Sequence, residues 1–394
     1  MRGLPKKTVL TVFLGFKESR RDIIFIALAG LFTVLILLLP TGFEDRGITA
    51  KSARVKAQVI EVNNEKLKMI GPVRQGEQQL EVMILSGEHK GAVYSASNNL
   101  MGKMELDKIF VPGDFAFAVL NLAENGTVVY AQIADHYRTG KTVFLGALFI
   151  LCVFIIMGWM GVKILISFAF SAVALIRILY PMILRGWNPI PVSLAMVTLI
   201  AGFIMFLVGG LSRRALVGFL GAVCGVGFTA VLAWAFTGWF KIHGATRPFT
   251  ETLLFSGYGH LNLAHLFISG IFIAASGAMM DLAMDVAAAM DEIKKQHPGI
   301  VRLALMRSGF TVARQAAGTM STTLLLAYSA EYTAMIMTFI AQGIPLENVI
   351  NMVWVSSEVV HTLSGCFGLA LVAPLTVLAG GLILGAEQEK PIAN

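Results

Sequence analysis

Eight apolar stretches limit what this chain can be: residues 23–39, 143–161, 164–184, 190–211, 215–240, 263–286, 318–340 and 361–384. A hydrocarbon core of ~30 Å takes about 20 helical residues to cross, with about 17 as the lower limit. All eight qualify, the first only just. Lipid offers the backbone no water to bond, so a segment of this kind must satisfy its own polar groups as a helix. Charged residues make up 14% of the chain and mean hydropathy is +0.74, against about a quarter charged in a soluble domain. That excludes an ordinary cytosolic enzyme. It equally excludes a polar, disordered chain.

The formal net charge is +7. Most of the basic residues border apolar runs, where they set topology and meet anionic headgroups. The partner this pattern implies is the lipid bilayer, with no nucleic acid. With the N-terminus inside, fifteen Lys and Arg, from Arg2 to Lys390, fall on the inner side, against three in short outer loops, Arg185, Lys241 and Arg247. Both ends are then cytoplasmic: the basic stretch 1–22 and the tail 385–394. The run from Ile23 to Leu39 follows basic residues as a signal peptide does. It ends in Pro40-Thr41-Gly42-Phe43-Glu44-Asp45, with no small-x-small cleavage site, so it reads as an uncleaved anchor. Cys152, Cys224 and Cys366 each sit inside an apolar run without CxxC spacing, which argues against a disulfide framework or a zinc site.

Residues 41–141 form one large soluble insertion, placed outside by the same bias. Val55, Ala57 and Val59 alternate with polar residues, as do Leu80, Val82 and Ile84. Phe115, Phe117 and Val119 follow a Pro112-Gly113-Asp114 turn, and Thr127 to Ile133 supplies another strand. Period-2 alternation between Gly and Asn turns is the mark of half-buried strands. About five short strands in this length suit a small closed barrel, OB-like in type. The expected fold is thus a polytopic α-helical membrane protein of about eight spans with an inserted extracytoplasmic β-barrel. After the anchor 23–39 and the insertion, a seven-span bundle fills 143–384.

Two stretches depart from simple spans. Residues 346–384 run on without a strong break, about twice the length a bilayer needs; an outer interfacial helix near 347–358 followed by the span resolves this. Residues 300–316 place Leu303, Met306, Phe310 and Ala313 on one face and Arg302, Arg307 and Arg314 elsewhere, a basic amphipathic helix suited to the inner lipid surface.

Charge inside a span is costly and needs a reason. Asp281 and Asp285 lie i,i+4 on one helix face, a site able to carry a proton, with Arg314 as a tuning neighbour. Glu358 and His361, three residues apart near the outer end of the last span, can hand a proton inward. Gly318, Thr319, Ser321, Thr322 and Thr323 open the seventh span as a small, hydroxyl-rich wall. Arg177 and Glu331 each stand 13 residues beyond the start of their spans, which puts both near the midplane and predicts an ion pair. For each set the structural reading, packing or a simple ion pair, stands beside the relay. No catalytic residue is assigned. His260, His265 and Ser269 resemble a rhomboid-protease element, but no His follows His361 to serve Ser364 as base. No phosphate-binding loop, cofactor motif or metal-ligand set is present.

Three sequence blocks carry a resemblance. Gly277-Ala278-Met279-Met280-Asp281-Leu282-Ala283-Met284 followed by Glu292, then Gly318 to Leu324 with Ala327-Tyr328, then Glu358, Gly365, Gly368, Pro374 and Thr376 together resemble the YibE/F-like multi-transmembrane family. The family's Asn in the second block is Thr322 here. The outer segment, with Asn98-Asn99-Leu100, Pro112-Gly113-Asp114 and Asp135-His136-Tyr137-Arg138, fits as well. The resemblance implies a multi-pass protein of the bacterial cytoplasmic (inner) membrane, without a settled biochemical activity. The order of one span, a large outer domain and then a bundle is also similar to Sec-type export accessory subunits of the RND superfamily.

Two functions follow. In the first, the chain is a proton-coupled membrane transporter or translocation accessory whose residues 41–141 handle an exported substrate or an envelope protein. In the second, it is a non-transporting scaffold or envelope assembly factor. Neither is an enzyme. A monomer and a homo-oligomer would present the same apolar outer faces.

Overall fold

The computed structural model describes residues 20–43, 52–123 and 125–385. The basic N-terminal stretch up to residue 19 and the tail from residue 386, with the expected sidedness of both ends, lie outside the described residues. The chain forms two compact units, one of residues 1–41 with 154–394 and one of residues 42–153.

The second unit holds six strands: β1 (Ser52–Asn63), β2 (Leu67–Ile70), β3 (Val73–Ile84), β4 (Val93–Met101), β5 (Phe115–Leu122) and β6 (Val128–His136). The sheet runs β1-β5-β6-β4-β3-β2, and β1 also pairs with β3, so five strands close into a barrel with β2 as a hairpin arm. All pairs are antiparallel except β4–β6, which is parallel. The core is the inward half of the expected alternation: Val55, Ala57, Val59, Leu80, Val82 and Ile84 are buried. On β5 the inward face is the opposite one to the aromatic set. Ala116, Ala118 and Leu120 are buried, and Phe115 is exposed. Phe110 from the preceding loop is fully buried in the same core, its ring tilted against His136 at 4.3 Å between centroids. Two polar side chains hold that loop in place. Buried Gln78 donates to Asn64 Oδ1 and the Phe110 carbonyl and accepts from Phe110 N–H, and Asn98 donates to Gln78 Oε1 and the Lys108 carbonyl. Each bond satisfies a group that would otherwise be buried unpaired.

The helical unit contains α1 (Arg20–Leu37), α4 (Pro189–Gly209), α5 (Arg213–Trp239), α6 (Thr250–Leu253), α7 (Leu263–Gln296), α8 (Arg302–Glu331), α9 (Thr333–Ala341), α10 (Leu346–Asn351) and α11 (Val353–Ile383). Between α1 and α4, α2 (Thr139–Ala174) continues through a π-turn at Leu175–Leu179 into α3 (Tyr180–Leu184), and its first residues belong to the barrel unit. Among the described residues, five helices are long and apolar enough to cross a membrane. The bent pair α8–α9 would make six, and α1 adds a shorter apolar helix.

The expected count of eight is not reproduced. The spans expected at 143–161 and 164–184 fall in one run, Thr139–Leu184, kinked at Gly158 (φ 53, ψ −128) rather than divided at Lys163. The first, 23–39, is a shorter apolar helix, Ile23–Leu37. The seventh, 318–340, is the second half of α8 with α9, bent by 65° between Glu331 and Thr333, and the amphipathic helix expected at 300–316 runs into it without a break. Of the separate helix expected near 347–358, only α10 (Leu346–Asn351) is distinct; the chain is extended at Met352, and residues 353–358 already belong to α11.

The bundle core is built by α5, α7, α8 and α11. Helices α5 and α11 approach on small residues repeating every four positions. A Cβ added at Gly221 would overlap Thr376, one at Gly225 Val372, and one at Gly368 Thr229. These contacts fix an antiparallel register. Gly309 against Met290 and Gly381 against Met306 fix two more, α8 on α7 and α8 on α11.

Candidate functional site

The loop from α5 to α6 carries the centre of the site. Gly244 (φ +86) lies so close to the carbonyl of Leu263 that any side chain would overlap it, which ties the loop to the start of α7. Phe249 holds φ 62, a conformation bulky residues avoid and one that clusters at functional sites. Between them Arg247 points at the elbow of α8–α9 and the first turns of α11. Its Nη1 donates to Glu331 Oε2 at 3.0 Å and to the Tyr332 hydroxyl, and its Nη2 donates to His361 Nδ1 at 2.8 Å. Glu358 Oε2 lies 3.5 Å from both Arg247 Nη2 and His361 Nδ1.

An arginine only donates, so its bond to Nδ1 makes that nitrogen the acceptor and places the ring hydrogen on Nε2. His361 is 4% exposed and its ring packs on Tyr328 at 4.2 Å. Two groups beside it have unused capacity: Glu358 Oε2 and the Tyr328 hydroxyl are buried without a hydrogen-bond partner. Glu358 Oε1 accepts from Thr362 Oγ1 at 3.1 Å. A cavity of about 300 Å³ opens beside the cluster, lined by Arg247, Thr250, Glu331 and His361 and by Leu266, Phe267, Gly270 and Ala274 of α7.

Gly270 and Ala274 belong to an exposed stripe that continues along α7 as Gly277, Asp281 and Asp285. The α7–α8 register set by Met290 and Gly309 brings Asp281 level with Gly318, and helical period puts Thr319 and Thr323 on the α7 flank of α8. The two aspartates lie on the exposed face of α7, and Thr319 and Thr323 are exposed on α8. Ser321 faces the other way, its carbonyl accepting from Cys366 Sγ of α11. Arg314, one heptad before Ser321, shares that far face. No ion pair joins Arg314 to Asp281 or Asp285, which corrects its expected role as their neighbour.

The pair expected between Arg177 and Glu331 is also corrected. Glu331 is held by Arg247, and no ion pair links it to Arg177, which lies in the π-turn after α2. α8 starts at Arg302, well before the apolar run, and Glu331 is its last residue. The α8–α11 register then puts Glu331 level with the first turns of α11, at a helix end. Glu358 and His361 are brought together as expected. Arg247, Tyr328 and Tyr332 were not among the expected site residues. The only signal for Arg247 was its isolation as one of three basic residues on the outer side.

Among the described residues no group of three or more His, Cys, Asp or Glu is arranged to hold a metal. The family model described as YibE/F-like protein matches residues 145–386. No curated protein and no solved structure matches the chain, so the similarity to RND-superfamily subunits gains no support.

Proposed function

The chain belongs to the YibE/F-like protein family, and for a member with this site we propose a proton-coupled membrane transporter or translocation accessory of the bacterial cytoplasmic membrane. The observation that carries this reading is the Arg247–Glu358–His361 arrangement beside a cavity, continuous along one face of α7 with Asp281 and Asp285. His361 Nδ1 stands between a donor, Arg247, and an acceptor, Glu358. Arg247, Glu358, Glu331, Tyr328 and Tyr332 are the titratable and charged groups around it. Carboxylates on an apolar helix are costly unless they serve a path or a partner. Asp281 is the carrier site in this scheme, Asp285 its neighbour, and Thr319 and Thr323 the lining. The barrel takes the substrate or envelope partner. Its strand order, with the parallel β4–β6 closure, supports an OB-like type.

The test is proton flux in liposomes holding a pH-sensitive dye under an imposed potential. Wild type should conduct, and Asp281→Asn and His361→Gln should each reduce flux at least ~10-fold, about 1.4 kcal/mol of barrier, at unchanged expression. Full flux in Asp281→Asn ends the proposal. The scaffold alternative is favoured by the barrel's separate core, and it predicts no flux in any form.

A further inference from the structure

We propose that the barrel end carrying the β2–β3 turn docks on the bilayer surface and that its ligand is the anionic lipid headgroup layer. This inference does not rest on the transport reading. Strand pairing shows which end of the barrel faces lipid. β4 runs parallel to β6, with Ala96 beside Ala131, so Met101 and His136 close their strands at the same end. Three residues past His136 the chain enters α2, whose first turns expose Val143, Phe144 and Leu145. A helix this apolar belongs in hydrocarbon, so the end of the barrel at which β6 leaves is the membrane-facing end.

The β2–β3 turn projects from that same end. β3 is antiparallel to β4, with Gln75 opposite Met101, and Ile70 pairs with Val73, so Ile70 and Val73 stand two residues further out with the Gly71-Pro72 turn just beyond them. At ~3.3 Å per strand residue that is ~7–10 Å along the strand, comparable with the reach of three residues from His136 to α2. The turn and its neighbour expose large apolar side chains to water: Met69 65%, Ile70 59%, Met101 62% and Met104 74%. Exposed apolar side chains gathered in one place mark an interaction surface. Lys68, Arg74 and Lys103 stand among them, against Glu105 as the nearby exposed acid. An apolar tip with a basic rim is the pattern of interfacial binding, where burial in the headgroup region adds to attraction for anionic lipid. Val93, Val129 and Tyr130 are also exposed, but they start β4 and β6 and so lie at the opposite end.

The full chain, with Cys152→Ala, Cys224→Ala and Cys366→Ala, is to be spin-labelled at Ile70→Cys and, as control, at Val129→Cys. It is then reconstituted in phosphatidylglycerol-containing vesicles. Collision with oxygen, which concentrates in lipid, is compared with collision with a water-soluble nickel chelate. The label at 70 should be oxygen-accessible and chelate-shielded, and the label at 129 chelate-accessible. Each of Lys68→Glu, Arg74→Glu and Lys103→Glu, or replacing phosphatidylglycerol by phosphatidylcholine, should move position 70 toward water, by about fivefold in attachment per basic residue lost. Chelate access at 70 equal to that at 129 overturns the proposal. So does shielding from both reagents that ignores lipid charge, since that means protein covers the tip. A benzophenone amino acid at position 70 in the otherwise natural chain needs no cysteine replacement. It should crosslink lipid, and a crosslink to protein alone overturns the proposal.

Discussion

Arg247 shows how one side chain can make a set of scattered charges into a site. Glu331, Tyr332, Glu358 and His361 come from two helices and an elbow, and each meets the same guanidinium. A planar fork with five donors does this where a lysine could not. Removing it takes the guanidinium cation away from the buried Glu358 carboxylate, so Arg247→Gln should destabilise the helical unit by about 3 kcal/mol. Arg247→Lys should recover only part of that. Thermal unfolding in detergent measures both, and equal stability of Arg247→Gln and wild type would show that the cluster contributes no net stability. Glu331 is 61% exposed in its side chain, so Glu331→Gln should cost far less, within about 1 kcal/mol.

At the scale of elements, the α5–α11 contact sets the architecture of the bundle. Residues 221 and 225 on one helix and 368 on the other have no room for a Cβ, because Thr376, Val372 and Thr229 occupy that space. Close approach on small residues is how apolar helices associate where burial of apolar surface gives no advantage over lipid. Gly225→Leu should therefore separate the helices and destabilise the unit by about 3 kcal/mol or more. Gly227, which meets nothing within 4 Å, is the control, and Gly227→Leu should be close to neutral. If the two substitutions had equal effects, a general change in helix propensity rather than packing would be responsible. The sequence spaces Gly218, Gly221, Gly225 and Gly227 along one helix, but it does not say which helix they meet. Period marks a face without identifying its neighbour.

At the scale of the molecule, two units with separate cores should unfold in two transitions, and acid should act on the barrel through Asp135. Burial alone would raise its pKa. The backbone N–H of His136 and the Arg138 guanidinium, with Lys108, outweigh that and hold the carboxyl below its ordinary 3.8. A group with a depressed folded value stabilises fully above its unfolded pKa and loses that contribution as pH falls through the folded one. The barrel transition should therefore weaken below about pH 3.8, and Asp135→Asn should lower stability at neutral pH while removing part of the acid dependence. Calorimetry across pH reads both, and an unchanged acid profile in Asp135→Asn would assign the dependence to other carboxylates.

Hydropathy and strand alternation by themselves determined a chain of membrane-length helices around an inserted barrel, because burial in lipid or in a core requires apolar residues at fixed periods. They also marked Glu358 with His361 and Asp281 with Asp285, since i,i+3 and i,i+4 positions share a helix face. Only the tertiary structure decided where helices break, at Gly158 and Tyr332 rather than at Lys163 and Gly318. A hydroxyl-rich block does not end a helix when its side chains bond to carbonyls of the preceding turn, as those of Thr319, Ser321, Thr322 and Thr323 do. Only the tertiary structure gave Glu331 to Arg247, because the depth of a charge depends on where its helix begins and on the helix it packs against. Local sequence records neither.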